Sequence, residues 1–210
     1  MSIDPPELIG DIDQWRNRIC DHIIVSADLM RRTADVAVDS ILDAAAVILK
    51  CFRSKNKILI CGNGGSAADA QHMAAEFVNR LGGNMERPGL PAIALTTDTS
   101  ILTSYANDMG YDGVFERQVL ALGQPGDVLI GISTSGNSTS VVRAVTAANA
   151  EGLRTIGLLG EGGALTSLVD RAVVIPSHDT QHIQESLLTV EHAICAMVEE
   201  ILFGHPTITS

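Results

Sequence analysis

The spacing of apolar positions changes near residue 57 and divides the chain into two parts. Over residues 11–50 the apolar side chains recur at helical spacing, which predicts an N-terminal helical arm in two pieces. From residue 57 onward, short and nearly continuous apolar runs alternate with helical stretches, as expected for parallel strands that are buried on both faces. The predicted strands lie at 57–62, 92–96, 127–133, 154–160 and 171–176.

The segments between these runs predict the helices of a repeated βα pattern. Helical stretches are expected to begin near Ser66, Val114 and Asn137, and the last helix to span 180–202. This order predicts an α/β fold, a three-layer αβα sandwich around a five-stranded parallel sheet. We expect one domain over 1–210, with the helical arm at 1–56 and the α/β core at 57–210. Ligands of such sheets bind beyond the carboxyl ends of the strands, so the loops there are where chemistry is expected.

Composition narrows the possible partners. The 14 Lys and Arg against 25 Asp and Glu give a formal net charge of −11, which disfavours nucleic acid as a ligand. No apolar stretch reaches the roughly 18 residues of a membrane span. The four cysteines form no CxxC pair and no signal peptide precedes them, so a reducing, cytoplasmic location is expected. Acidity does not exclude a small anionic substrate, because helix N-termini bind phosphate through backbone amides.

The loop after the first predicted strand is rich in glycine. Gly62, Asn63, Gly64 and Gly65 precede Ser66 at the expected start of a helix. Glycines let the backbone approach a ligand closely, but they also make plain tight turns. The loop lacks the Lys-Ser/Thr ending of a Walker loop and the dinucleotide-binding pattern. From the residues alone, a phosphate or sugar loop and a plain turn stay equally open.

The loop after the third predicted strand carries several hydroxyls. Ser133, Thr134, Ser135 and Ser138 lie between a strand and a helix, where hydroxyls and free amides form a neutral phosphate cradle. The alternative is helix capping, for which serine is a preferred residue. One cap needs one hydroxyl, so four favour ligand binding.

Two predicted helices carry paired polar side chains. His72 and Glu76 are four residues apart and share a helical face, which suits a divalent metal, a base with its partner, or a solvated face. Gln184 and His192 are two turns apart on the last helix, although a lone helical histidine is more often structural. Glu185 and Glu191 lie on the same helix as Gln184 and His192. Five other residues of the C-terminal region are expected at the surface: His178, His182, Glu199, Glu200 and His205.

Four segments in order resemble the phosphoheptose isomerases of the sugar isomerase (SIS) domain superfamily. They are CGNGGSAADAQHMAAEF, ALTTDTSILTSYANDMGYD, GDVLIGISTSGNS and HIQESLLTVEH. The resemblance implies the SIS fold and conversion of sedoheptulose 7-phosphate to glycero-manno-heptose 7-phosphate, the first step toward bacterial lipopolysaccharide heptose or nucleotide-activated heptose. It also implies a cytoplasmic homotetramer with active sites between subunits and one zinc ion per subunit.

Carried over position by position, the resemblance implies three sets of residues. The metal ligands are His72, Glu76, Gln184 and His192. The catalytic residues are Glu76 and His192 as an acid/base pair, with Asp69 as a secondary candidate. The substrate-binding residues are Asn63, Gly64, Gly65, Ser66, Glu76, Asn107, Asp108, Ser133, Thr134, Ser135, Ser138 and Gln184.

Isomerisation of an aldose to a ketose moves a proton between C1 and C2 through an enediol, and needs a base, an acid and oxyanion stabilisation. Glu76 and His192 suit these roles, but they are not free bases while they bind zinc. Either ligands exchange during turnover or another group, such as Asp69, moves the proton.

Two other functions are compatible with the same resemblance. One is a non-catalytic SIS-domain adaptor that binds the bacterial replication initiator; the presence of His72, Glu76, Gln184 and His192 argues against it. The other is a phosphosugar-sensing regulator, but residues 1–56 show no helix-turn-helix pattern and no basic cluster.

Overall fold

The N-terminal arm is one helix rather than two. The structure, a computed structural model, describes residues 10–83 and 86–204. Helix α1 runs unbroken over Ile12–Arg53, with Asp11 accepting a hydrogen bond from the backbone N–H of Gln14 at its N-terminus. The prediction of two pieces is wrong, because no proline or glycine interrupts these 42 residues.

All five predicted strands are present and alternate with helices. In chain order the elements are β1 Ile58–Gly62, α2 Gly65–Val78, β2 Ala92–Ala94, α3 Thr99–Met109, a 3₁₀ turn Tyr111–Gly113, α4 Val114–Leu122, β3 Val128–Ser133, α5 Thr139–Ala150, β4 Arg154–Gly160, α6 Leu165–Leu168, β5 Arg171–Ile175 and α7 Thr180–Phe203. Helix α3 was not predicted; none of its residues is fully buried, although Leu102, Tyr105 and Ala106 pack partly against the core. Helix α5 begins two residues later than expected.

The strands form one parallel sheet with the order β2-β1-β3-β4-β5. Alternate residues of a strand face opposite sides of the sheet. Ile58 and Ile60 of β1 pack into an apolar cluster with α1, α2 and α7, whereas Leu59 and Cys61 pack with α4 and α5 on the other face. The three-layer αβα fold is therefore confirmed.

The order of the strands in the sheet predicts where a ligand binds. From β1 the chain passes to β2 on one side and then to β3 on the other, so the connections run in opposite directions from the β1–β3 pair. The crevice at such a switch point, beyond the carboxyl ends of the strands, is where open α/β sheets bind ligands. The glycine loop after β1 and the serine loop after β3 both open into it.

Helix α1 is divided between core and surface. Ala44 and Ile48 are fully buried in the cluster beneath the sheet, while Ile19, Ile23 and Ile24 are more than half exposed. No helix among the described residues combines the length and apolar character that crossing a bilayer would require.

Candidate active site

Asn63 joins the glycine loop to the serine loop. Its side-chain amide donates to the Oγ atoms of Ser138 at 2.7 Å and Ser140 at 2.9 Å. Its side-chain oxygen accepts from the Tyr111 hydroxyl at 2.7 Å. The neighbouring Gly64 has a φ of +59°, a conformation that costs a glycine little and other residues more. The first loop is therefore more than a plain turn, because it holds the second loop in place.

The serine loop lines a small polar cavity at the switch point. The cavity has a volume of about 150 Å³, and no lining residue carries a charge; its polar lining residues are Asn63, Ser66, Ser133, Thr134, Ser135 and Ser138. Ser138 occupies the N-cap position of α5, yet its side chain makes no capping hydrogen bond within the described part of the chain. Capping thus does not explain this hydroxyl, and the cavity fits a phosphate held by neutral donors at a helix N-terminus.

The end of β4 supports this loop at close range. A Cβ atom on Gly160 would lie 2.1 Å from the carbonyl oxygen of Thr134 and 2.7 Å from Cδ1 of Ile183. Gly160→Ala is expected to displace the serine loop and lower the free energy of unfolding by about 1–3 kcal/mol. Urea unfolding measures the change, and Gly82→Ala, which meets no atom within 4 Å, is the matched control. Equal stability of both variants would contradict this packing.

Helices α2 and α7 bring His72, Glu76 and His192 together. The Nε2 atoms of the two histidines are 2.7 Å apart, and Nε2 of His72 is 3.6 Å from Oε1 of Glu76. All three side chains are partly buried and present ligand atoms within 4.8 Å of one another. Two imidazoles and one carboxylate are a donor set typical of catalytic zinc.

Gln184 lies at the N-terminal end of α2. Its Oε1 accepts from the Ser66 hydroxyl at 3.4 Å and lies 2.9 Å from where a Cβ of Gly65 would be. Its Nε2 is buried without a partner among the described residues. Rotating the amide by 180° exchanges the two atoms, lets Nε2 donate to Ser66 and places an oxygen at the unpaired position, as a metal ligand requires.

Asp69 and Glu191 are two buried carboxyls on these same helices. Oδ2 of Asp69 and both carboxyl oxygens of Glu191 lack partners among the described residues. Burial raises the pKa of Asp69 to about 6, although the charge of His72 opposes the shift. Burial, and then the negative charge of Asp69, raise the pKa of Glu191 to about 9. At neutral pH Glu191 therefore favours its protonated form, whereas Asp69, although its pKa is raised, stays largely ionised.

Comparison with known proteins identifies the family. Residues 23–160 match the SIS domain family. The phosphoheptose isomerase of Roseiflexus sp. (strain RS-1) is 53% identical over 91% of this chain and 96% of its own length. This chain belongs to the phosphoheptose isomerase family. The structure of phosphoheptose isomerase GmhA from Neisseria gonorrhoeae aligns with a TM-score of 0.84 and 42% identity over 89% of this chain and 99% of that one. A phosphoheptose isomerase structure from Francisella tularensis also gives 0.84, at 34% identity over 88% and 97% of the two chains.

One pair implied by the family resemblance lies apart from the serine loop. Asn107 donates to Oδ1 of Asp108 at 2.8 Å at the exposed end of α3. No hydrogen bond among the described residues joins either side chain to the serine loop or to the cluster of His72, Glu76 and His192. Their role in substrate binding therefore stays a prediction.

Two residues expected at the surface are buried. His182 is 8% exposed, with Nδ1 3.2 Å from Glu185, and Glu199 is 4% exposed and pairs with Arg87. Both predictions were wrong because Glu185 pairs with His182, and Arg87 with Glu199, and each partner stabilises a polar side chain inside the protein. His178 and Glu200 are exposed as expected, and His205 lies outside the described residues.

The buried Glu191 of this isomerase-family chain predicts a pH dependence of stability. Its folded pKa of about 9 exceeds the ordinary 4.5, so between these values the folded state holds a proton that the unfolded chain releases. Stability should therefore fall as pH rises from about 4.5 to 9, and Glu191→Gln should reduce that fall. Urea unfolding at pH 5, 7 and 9 with a chelator present measures both slopes. Equal slopes in the two proteins would contradict the shift.

Proposed function

We propose that this chain isomerises sedoheptulose 7-phosphate to glycero-manno-heptose 7-phosphate through an enediol. The proposal rests on one observation: helix α2 contributes residues to two sites. Its N-terminal Ser66 lines the uncharged serine-loop cavity, and its His72 and Glu76 meet His192 of α7 further along. A phosphate cradle and an acid/base cluster on one helix fit a substrate with a phosphate at one end and a reactive carbonyl at the other.

The spacing along α2 supports a substrate of this length. His72 follows Ser66 by six residues, which is about 9 Å along a helix axis. An extended chain from C2 of a heptose 7-phosphate to its phosphorus spans seven bonds, or about 9 Å with C–C bonds near 1.5 Å. The phosphate in the cradle therefore leaves C1 and C2 at the level of the histidines.

Different side chains are proposed to carry out different parts of the reaction. With their side chains free of the metal through ligand exchange, Glu76 would move the proton between C1 and C2, and His192 would exchange a proton with the carbonyl oxygen. Asn63 holds the serine loop around the phosphate. Asp69, on the same helix as His72 and Glu76 and with one buried oxygen that lacks a partner among the described residues, is the secondary candidate for proton transfer. Asn107 and Asp108 are proposed to contact the substrate's hydroxyls.

A zinc ion is the proposed cofactor, one per subunit, held by His72, Glu76 and His192 with Gln184 as the fourth ligand. The converging imidazole and carboxylate atoms support this set, as does the atom of the Gln184 amide that has no partner among the described residues. When bound, zinc supplies a Lewis acid for the substrate oxygens.

The proposed assembly is a homotetramer with active sites between subunits. The N-terminal half of α1 exposes large apolar side chains, which a second copy would cover: Trp15, Ile19, Ile23, Ile24 and Val25. Light scattering is expected to give four times the 22.2 kDa chain mass at micromolar concentration. A monomer would contradict this assembly.

The proposed compartment is the cytoplasm, and the proposed pathway is bacterial heptose synthesis for lipopolysaccharide or nucleotide-activated heptose. The four cysteines, all free, are compatible with a reducing compartment.

A coupled assay tests the proposed activity directly. Zinc-loaded protein is expected to turn over sedoheptulose 7-phosphate and to leave the unphosphorylated sugar nearly untouched, because the serine-loop cavity binds only the phosphorylated end. Folded, zinc-loaded protein without turnover would instead favour the adaptor function, which a pull-down with the replication initiator would then test.

A further inference from the structure

A second group of metal-binding side chains lies between α1 and α7, outside the proposed active site. We propose that His22, His182 and Glu185 form a second zinc site, which ties the N-terminal arm to the last helix. This site is additional to the proposed isomerase centre, and its existence does not depend on catalysis.

The three side chains converge on a common point. Nε2 of His22 lies 3.0 Å from Oε1 of Glu185, and Nδ1 of His182 lies 3.2 Å from Oε2 of the same carboxylate. The ligand atoms all lie within 4.8 Å of one another. Ligands of a tetrahedral zinc ion are about 3.4 Å apart, given metal–ligand bonds of ~2.0–2.1 Å. Both nitrogen–oxygen distances are about 0.2–0.4 Å shorter than this spacing, so the histidines would have to move outward to admit the ion.

The carboxylate is already oriented for this role. The Ser26 hydroxyl, on the buried side of α1, donates to Oε2 of Glu185 at 2.6 Å. Such hydrogen bonds fix a ligand's orientation and are a regular part of metal sites.

The ligand set leaves room for a fourth ligand. His182 is nearly buried, while the side chains of His22 and Glu185 are 43% and 38% exposed. They open on a groove of about 320 Å³ that is otherwise lined by Ile23, Ser26, Ala27 and Met30. Water can complete the coordination there. Three protein ligands on two helices far apart in sequence would make zinc a cross-link between α1 and α7.

The two proposed metal sites are separable by substitution. Glu185 adjoins Gln184 in sequence, but the two side chains bond to different elements, Glu185 to α1 and Gln184 to α2. His22 and His182 belong to the second site, whereas His72 and His192 belong to the first. Replacing either histidine pair therefore leaves the other ligand set complete.

Zinc stoichiometry, measured by titration against a chromogenic chelator, tests the proposal. The native protein is expected to bind two equivalents per chain. His22→Ala/His182→Ala and His72→Ala/His192→Ala are each expected to bind one, and the fourfold variant none. His178→Ala, which removes an exposed histidine outside both clusters, should keep two.

A second readout separates a metal site from a merely hydrogen-bonded cluster. Zinc should raise the melting temperature of His72→Ala/His192→Ala, and His22→Gln should remove that rise. Because His22 is partly exposed, this single change is expected to preserve folding, and it keeps the test decisive if His22→Ala/His182→Ala does not fold. A zinc stoichiometry that is unchanged by loss of His22 and His182 would overturn the proposal, whereas a single equivalent that is lost with these two histidines would count only against the active-site zinc.

Discussion

Glu76→Gln is expected to lower kcat for sedoheptulose 7-phosphate by about 10²–10⁴-fold, the range that a positioned general base contributes. Glutamine keeps the size of the side chain, but its neutral amide is not basic enough to accept the carbon-bound proton. The variant also weakens one proposed zinc ligand, so zinc content is measured on the same sample. Loss of turnover at full zinc occupancy would assign proton transfer to Glu76 itself.

Two controls sharpen this experiment. Glu151→Gln neutralises an exposed carboxylate at the end of α5 and should leave kcat unchanged. Asp69→Asn tests the secondary candidate, and a loss comparable to that of Glu76→Gln would move the proton-transfer role to Asp69. Retention of more than a tenth of native kcat by zinc-loaded Glu76→Gln would contradict the proposed role of Glu76.

Arg87→Met is expected to lower the free energy of unfolding by about 3–5 kcal/mol, because it leaves a buried carboxylate without its partner. The side chains of Arg87 and Glu199 are 1% and 6% exposed, and Nε of Arg87 donates to Oε1 of Glu199. Arg87 also donates to the carbonyl oxygens of Glu76 and Phe77, which close the C-terminal turn of α2. The pair thus supports the turn that carries Glu76.

Denaturant unfolding of Arg87→Met, Glu199→Gln and Arg87→Met/Glu199→Leu separates the cost of the unpaired charge from the cost of the other lost contacts. Glu199→Gln keeps an acceptor for Arg87 and should cost less than Arg87→Met. Arg87→Met/Glu199→Leu should recover part of the loss, since no charge is then left unpaired. A cost below about 1 kcal/mol for Arg87→Met, as for an exposed ion pair, would contradict a buried role.

The strands and the two site loops are predictable because their signals are local. Continuous apolar runs mark parallel strands, and the glycine and serine loops follow β1 and β3 directly. The pairing of His72 with Glu76 follows from helical spacing alone, and the further approach of His192 was implied only by the family resemblance.

The features that the sequence did not predict depend on distant partners or on weak patterns. His22 meets Glu185 across 163 positions and Arg87 meets Glu199 across 112, and neither spacing has a local signature. Helix α3 buries no residue fully, and its apolar positions Leu102, Tyr105 and Ala106 stand among polar residues, which makes its pattern weak. The sequence does predict an unbroken α1, because it has no proline or glycine between residues 12 and 53. The irregular spacing of its apolar residues favoured two helices instead, and that interpretation was wrong.

The most direct test of the central claim follows the substrate's carbon-bound proton by NMR in D₂O. With zinc-loaded native protein, sedoheptulose 7-phosphate should convert to the aldose 7-phosphate and gain deuterium at C2, since an enediol exchanges its proton with solvent through Glu76. Zinc-loaded Glu76→Gln should show neither change. Absence of both conversion and deuterium uptake with the folded native protein would contradict the isomerase account.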